Sequence, residues 1–189
     1  MTPHLLAVFN DVVLVDGSAT FASELSERFP DATVVCSLFE EFETTEAFDT
    51  IVMGNILEHV ADPRQLLERA RDWLSPNGHI YISVPNAYSI HRQAAVLLGL
   101  LENQYSFNDA DVHHGHRRVY DPGSLRADVN AAGLHIEVSG GYWLKPLSNA
   151  QIEASWTPEM LDAFMELGER YPDIAAQIYV VASATTGRL

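Results

Sequence analysis

Apolar residues fall into short runs along the chain, separated by stretches with helical spacing. Residues 50–54 and 80–84 lack the polar alternation of a half-exposed strand, so each predicts a strand that is covered on both faces. Between them, Asp62 can cap a helix with Pro63 at its first position. Apolar side chains then recur at helical spacing, at Leu66, Leu67, Ala70, Trp73 and Leu74. Residues 75–78 (Ser-Pro-Asn-Gly) break this helix, and the order predicts one βαβ unit with parallel strands.

The same reasoning predicts the remaining elements. Further strands are expected at residues 12–15, 32–36, 136–138 and 178–182. Helices are expected at the start of the chain (1–10), after residue 18, over residues 86–101, after Asp121-Pro122, and from Thr157-Pro158 to about residue 170. A loose tail is expected over residues 184–189. A chain of 189 residues with 47% hydrophobic content can bury one core, so we expect a single domain over 1–189.

Residues 48–87 also carry a specific run of side chains. Residues 57–60 (Leu-Glu-His-Val) and then Asp62-Pro63 follow one strand, and residues 76–78 (Pro-Asn-Gly) precede the next. This run resembles class I S-adenosylmethionine-dependent methyltransferases of the small-molecule type. The resemblance implies an α/β fold, a doubly wound Rossmann-like sheet that is mostly parallel, with the last strand (178–182) antiparallel beside strand 80–84. It implies methyl transfer from S-adenosylmethionine to a small-molecule acceptor.

The chain departs from the family at its beginning. Relatives carry a first strand and a Gly-rich turn ahead of the ribose-binding acid, and neither has a counterpart before Asp16. Either the chain is shortened, or another segment or subunit completes the site. Without the first strand, strands 12–15 and 50–54 would have to pair directly or leave open edges, which invite association. We therefore expect weakened cofactor binding and a homo-oligomer.

The resemblance also implies which residues contact the cofactor. Asp16 is the candidate for the ribose hydroxyls, followed by the turn residues Gly17 and Ser18. Leu38 takes the place where many relatives have an acid facing the adenine amino group. Phe39 either flanks the adenine or is a core phenylalanine. After strand 50–54, the candidates are Asn55, Ile56 and His59.

Residues 113–120 (His-His-Gly-His-Arg-Arg-Val-Tyr) are the best candidates for chemistry on the acceptor. A histidine titrates near neutral pH and can remove a proton from a hydroxyl or ammonium group. We select His116 first, with His114 and Arg117 as further candidates, and Arg117 or Arg118 could hold a carboxylate or phosphate. A metal site is not expected, because the histidine spacing matches neither a helical i, i+4 pair nor a zinc pattern. The alternative is that these side chains only anchor a loop.

Two segments are expected to form cap elements over the substrate, at about 88–120 and 142–170. The helix predicted over residues 86–101 resembles the lid insert of many small-molecule methyltransferases, and its alternative is a helix packed on the sheet edge. In the second segment, Tyr142 and Trp143 could wall a substrate pocket, although aromatic residues in such places are as often core.

Composition limits the partners. The net charge of -15 disfavours nucleic acid, which requires clustered Lys and Arg. The lone Cys36 cannot form an internal disulfide, and neither a signal segment nor a membrane-spanning apolar run is evident, so we expect a cytoplasmic protein with no membrane partner. Two other functions share features with this sequence. A non-catalytic scaffold with the same fold is the main alternative, whereas a nicotinamide dehydrogenase is disfavoured because its glycine fingerprint is absent.

Overall fold

Six strands and eight helices lie within residues 2–184, the part of the chain that the computed structural model describes. The strands are β1 (Val13–Asp16), β2 (Thr33–Cys36), β3 (Phe48–Gly54), β4 (Leu74–Pro85), β5 (Leu134–Tyr142) and β6 (Gln177–Ala184). The helices are α1 (Thr2–Val8), α2 (Ala19–Arg28), α3 (Pro63–Asp72), α4 (Ile90–Leu97), α5 (Asp109–His113), α6 (Pro122–Ala131), α7 (Asn149–Ser155) and α8 (Pro158–Arg170). The chain divides into two units, Met1–Thr45 and Glu46–Leu189. The single domain expected over 1–189 stays a prediction.

The first unit is built on one parallel strand pair. β1 and β2 pair in register from Val13 opposite Thr33 to Asp16 opposite Cys36. Helix α2 connects them, and the Ser18 side chain caps it by accepting the backbone N–H of Phe21 at 3.4 Å. This is the strand, turn and helix that the sequence predicts.

The second unit contains a four-stranded sheet in the order β3-β4-β6-β5. β3 and β4 are parallel, and α3 crosses between them as the βαβ pattern predicts. β6 runs antiparallel to both β4 and β5. The antiparallel last strand beside strand 80–84 is therefore confirmed, together with the Rossmann-like α/β class.

The core of the second unit lies against one face of β4, where Ile80, Ile82 and Val84 are fully buried. On the other face Ser83 is buried and Tyr81 is half-buried, in line with a strand covered on both faces. Helix α3 contributes its buried face through Leu66, Leu67 and Ala70. The Asp62 side chain caps this helix by accepting the N–H of Gln65 at 3.0 Å.

The helix predicted over residues 86–101 is shorter than expected, because it begins only at Ile90. Asn86 is fully buried, and its amide nitrogen donates to the carbonyls of Asp173 and Ala175 at 3.0 and 2.9 Å. Its Oδ1 accepts the N–H of Tyr88 at 2.9 Å, which forms a turn in place of the first helical turn. The start predicted at residue 86 is therefore wrong, and the sequence also missed the short helices α5 and α7.

The two units hold separate sheets. β1 and β2 form the sheet of the first unit, and β3, β4, β6 and β5 form that of the second. The predicted tail lies outside the described residues from 185 onward. Within residues 2–184, none of the helices combines the length and apolar character needed to cross a bilayer.

Candidate active site

The carboxyl ends of the first unit's strands bring most of its predicted cofactor residues together. The Asp16 carboxylate accepts the N–H of Ser18 at 2.8 Å, which shapes the turn after β1. A Cβ on Gly17 would lie 2.9 Å from Cδ2 of Leu38, so this turn and the residues after β2 touch. Leu38 is exposed, whereas Phe39 is half-buried. Ligands of parallel α/β sheets bind at such carboxyl ends.

In the second unit, residues 55–60 form a fixed turn after β3. Asn55 has a left-handed backbone with φ of 56°, which asparagine tolerates better than most residues. Its N–H donates to the carbonyl of Ser83 at 2.8 Å, and its side chain is exposed. Leu57 and Val60 are buried and anchor the turn, which leaves Ile56 and His59 half-exposed.

Glu58, inside this turn, is a buried acid without a hydrogen-bond partner. Its relative exposure is 1%, and neither carboxylate oxygen is hydrogen-bonded within the described structure. Burial raises the pKa of the Glu58 carboxyl to about 7, although the nearby N–H of its own backbone and the charge of Arg118 act in the opposite direction. The carboxyl can therefore exchange a proton near neutral pH.

His116 faces this acid and is oriented by a second carboxylate. The ring centroids of His116 and His59 lie 4.7 Å apart in an edge-to-face arrangement, and Nε2 of His59 lies 4.0 Å from Oε1 of Glu58. Nδ1 of His116 lies 3.1 Å from Oδ1 of Asp111. Burial lowers the pKa of His116, and the Asp111 charge opposes that shift. A neutral ring that donates Nδ1–H to Asp111 presents a lone pair at Nε2.

Asp111 is itself held by two donors. Nη1 of Arg92 and the backbone N–H of Asn108 donate to its Oδ2 at 2.9 and 3.0 Å. Burial would raise the pKa of Asp111, but these hydrogen bonds and the Arg92 charge hold it below the usual value. Arg92 is buried and also donates to the carbonyls of Gln104 and Ser106. The Asp111–His116 pair is therefore fixed before any ligand binds.

The segment carrying His116 is fastened to the Glu58 turn through backbone groups. Nη1 of Arg118 donates to the carbonyls of Leu57 and Val60 at 2.6 and 2.7 Å, and its Nη2 donates to that of Ala61 at 3.0 Å. The N–H of Arg117 donates to the carbonyl of Glu58 at 2.7 Å. Arg118 thus holds the turn with its side chain.

The other two predicted catalytic side chains are more exposed than that of His116. Those of His114 and Arg117 are exposed, in contrast to the half-buried His116. Their catalytic roles stay predictions.

Three side chains of this site offer metal-ligand atoms close together. Glu58, His59 and His116 each contribute one such atom, and these atoms lie within 4.8 Å of one another. The spacing of the histidines in residues 113–116 disfavours a metal site built from that segment alone. In the structure, His116 lies close to Glu58 and His59, which come from a distant segment of the chain. The absence of a metal stays a prediction.

Sequence reasoning missed four residues of the site, namely Glu58, Arg92, Asp111 and Arg118 in these roles. One local pattern could have revealed Asp111. The side chain of Asn108 accepts the N–H of Asp111 at 2.8 Å, which completes a reciprocal capping box. The Asn-x-x-Asp spacing is visible in the sequence, but the pairing of Asp111 with Arg92 and His116 is a tertiary contact.

A family model described as "Methyltransferase domain" matches residues 4–138, which include both carboxyl-end segments and His116. The chain belongs to this methyltransferase family.

Curated relatives of the methyltransferase include ubiquinone biosynthesis O-methyltransferases. That of Aeromonas salmonicida is 28% identical over 108 residues, which cover 57% of this chain and 44% of the relative. That of Rhizobium etli (strain CIAT 652) is 27% identical over 128 residues, covering 68% and 49%. The matches thus span less than half the length of these relatives.

Solved structures of S-adenosylmethionine-dependent methyltransferases share the fold. One from Clostridium acetobutylicum superposes with a TM-score of 0.64 at 12% identity, covering 98% of this methyltransferase and 79% of that chain. The N-methyltransferase NodS from Bradyrhizobium japonicum, in complex with S-adenosyl-L-homocysteine, gives 0.58 at 12% identity, covering 98% and 72%. At such identities the likeness concerns the fold alone.

Proposed function

We propose that this chain transfers a methyl group from S-adenosylmethionine to a small-molecule acceptor. The family and the fold support the donor. One structural observation supports the chemistry, namely His116, held by Asp111 and facing the buried Glu58. The acceptors of the curated relatives are not carried over to this chain.

The candidate cofactor residues have suitable local structures. In the first unit, Asp16 is the last residue of β1, at the position expected for the acid that accepts the ribose hydroxyls. Gly17 and Ser18 follow it in sequence, Gly17 lies against Leu38, and Phe39 comes next after Leu38. In the second unit, Asn55, Ile56 and His59 line the turn after β3. When bound, S-adenosylmethionine would supply a sulfonium methyl group: an acceptor electron pair would attack its carbon in line, and the C–S bond would break to release S-adenosylhomocysteine.

The chain's own contribution is to position the acceptor and remove its proton. A hydroxyl or ammonium acceptor within reach of Nε2 of His116 would donate its proton there, while Asp111 keeps Nδ1 protonated and stabilises the resulting imidazolium. Glu58, whose pKa is raised to about 7, has a carboxylate oxygen within 4.8 Å of a ring nitrogen of His116 and could accept that proton from the site. The geometry therefore fits acceptors that must lose a proton.

The competing proposal is a scaffold that keeps the fold without catalysis. The observation that favours it is the sequence, which contains no G-x-G-x-G turn of the kind that contacts the cofactor in relatives. A scaffold would fold normally and release no S-adenosylhomocysteine.

Release of S-adenosylhomocysteine separates the two proposals. The assay uses a panel of small phenols, amines and hydroxy acids, with His116→Gln as the test variant and the exposed His113→Gln as the matched control. We predict that His116→Gln lowers kcat about 10²-fold or more, because general base catalysis is lost. His113→Gln should behave as wild type.

Three results would contradict this account. Equal activity of the two variants would remove His116 from the chemistry. Activity that is lost in a chelator and restored by Zn²⁺ would make His116 a metal ligand instead of a base. Absence of release from every acceptor by the folded chain would favour the scaffold.

A further inference from the structure

Lys145 is the only lysine of the sequence, in a chain with 26 acidic residues and 11 basic ones. A solubilising lysine would normally extend into water, but Lys145 is half-buried in the second unit. Burial lowers the pKa of Lys145, and the negative charge of Asp111 opposes that shift. The ammonium group is therefore held partly out of water, within electrostatic range of the Asp111–His116 pair.

The Lys145 ammonium group has N–H donors that are not used within the described structure. Its Nζ donates to Oδ1 of Asn149 at 2.9 Å and lies 5.0 Å from the centre of the Trp143 ring. An ammonium group has three N–H donors, and within residues 2–184 Lys145 forms no ion pair with a carboxylate. By comparison, Arg92 forms an ion pair with Asp111, and the Arg118 side chain donates hydrogen bonds to three backbone carbonyls. Lys145 is thus the partly buried cation near this site with donors left for a ligand.

A second group beside Lys145 also lacks a partner. Nε1 of Trp143 is buried and makes no hydrogen bond within the described structure. The indole N–H is a donor only, and a buried donor left unpaired destabilises the folded state. A ligand oxygen would satisfy it. The Lys145 ammonium group and the neighbouring indole N–H of Trp143 could therefore both donate to one negatively charged hydrogen-bond acceptor.

The backbone between these side chains is fixed in a strained conformation. Trp143 has φ of 63°, a left-handed value that is rare for an aromatic residue. The N–H of Leu144 donates to the carbonyl of Phe164 at 2.8 Å, and the carbonyl of Trp143 accepts the N–H of Ala176 at 2.8 Å. Packing against α8 is so close that a Cβ on Gly168 would lie 2.2 Å from the nitrogen of Trp143. Strain held by packing in this way is typical of functional sites.

His91 lies close to the same segment, and its Nδ1 is buried without a hydrogen-bond partner in the described structure. Burial, together with the charges of Lys145 and Arg92, lowers the pKa of His91 to about 4. His91 is therefore neutral at physiological pH and adds no second positive charge. With His91 neutral, Lys145 provides one positive charge, which matches the single negative charge of a carboxylate.

We propose that Lys145 and the indole N–H of Trp143 bind a carboxylate group of the methyl acceptor. This inference rests on the proposed methyl transfer and names its substrate class as small acids that carry a hydroxyl or amino group. In this arrangement Lys145 is a specificity residue, and His116 remains the group that removes the proton.

The test compares two probes of nearly the same shape that differ in charge, 4-hydroxybenzoate and 4-hydroxybenzamide. Their binding is measured by isothermal titration with S-adenosylhomocysteine and without it. Wild type should bind the carboxylate about tenfold or more tightly than the amide, since a hydrogen bond to a charged group is stronger than one to a neutral group. Lys145→Gln should abolish this preference, and Lys145→Arg should retain part of it. The matched control is Arg126→Gln, which removes an exposed cation from α6 and should keep the preference.

Two outcomes overturn the inference. One is equal or undetectable binding of both probes by wild type, and the other is a preference that survives in Lys145→Gln. The titration with S-adenosylhomocysteine alone separates this inference from the proposed function. If the chain binds S-adenosylhomocysteine but does not prefer 4-hydroxybenzoate to 4-hydroxybenzamide, only the Lys145 site is refuted. If it prefers 4-hydroxybenzoate but does not bind S-adenosylhomocysteine, only the methyl transfer is refuted.

Discussion

At the scale of single residues, Glu58 combines burial with the lack of any hydrogen-bond partner. Its pKa in the folded chain is raised from 4.5 to about 7, so the folded state holds its proton more strongly than the unfolded state does. Stability contributed by this group is complete below about pH 4.5 and is lost as the pH rises toward 7. Above that pH the loss is constant.

Glu58→Gln should therefore remove part of the pH dependence of stability. In urea unfolding at pH 5 and pH 8, we predict that wild type loses stability between the two values by about 2–3 kcal/mol more than Glu58→Gln does. The exposed Glu153→Gln serves as the control and should keep the wild-type dependence. An equal loss in wild type and Glu58→Gln would mean that Glu58 is solvated or paired.

The residues of the candidate site differ in how far the sequence could predict them. His116 was identified because its residue type and its neighbours suggest proton transfer. Asp111 and Glu58 were not, because their importance comes from burial and from partners 5 and 58 positions away, at His116. Local sequence patterns do not predict which side chains are buried or which distant residues they contact.

At the scale of elements, the Arg118 side chain joins the segment before α6 to the turn after β3. Its three hydrogen bonds to main-chain carbonyls keep residues 57–61 in place. The neighbouring Arg117 is exposed and uses only its backbone N–H for this connection. Substituting each of these adjacent arginines therefore compares the loss of a side chain that is hydrogen-bonded to the turn with the loss of one that is not.

Arg118→Ala should destabilise the chain by about 2–3 kcal/mol, because charged hydrogen bonds are lost and buried carbonyls are left unpaired. Arg117→Ala should change stability by no more than about 0.5 kcal/mol. Chemical denaturation of both variants measures the difference. Similar destabilisation by the two variants would refute the structural role assigned to Arg118.

Element boundaries follow the sequence where capping is local. Asp62 with Pro63 correctly marks the start of α3, as does Asp121 with Pro122 for α6. The start of α4 was misplaced because Asn86 is held by carbonyls 87 and 89 residues away. Helix α7 was missed although Ser148 and Gln151 form a capping box, whose spacing the sequence displays.

At the scale of the whole molecule, the sheet order is the main result. The antiparallel insertion of β6 between β4 and β5 was expected from the family resemblance, not from periodicity. Periodicity alone located the strands. The strands of the first unit form a sheet of their own, and β3 is an edge strand of the larger sheet. Unpaired strand edges are templates for association.

We therefore predict concentration-dependent self-association in sedimentation velocity experiments. Thr50→Lys places a charge on the edge strand β3 at an exposed position and should shift the equilibrium toward monomer. Thr20→Lys, which is exposed on α2, adds the same charge elsewhere and should leave the association unchanged. A purely monomeric chain at all concentrations would contradict the prediction.

Binding of S-adenosylhomocysteine to the purified chain tests the central claim most directly. In isothermal titration we predict saturable binding that Asp16→Ala weakens about tenfold or more, because a carboxylate that accepts ribose hydroxyls is removed. Asp11→Ala removes an exposed acid just before β1 and should bind as wild type does. Failure of the folded wild-type chain to bind, or equal binding by the two variants, would contradict the proposed methyltransferase site.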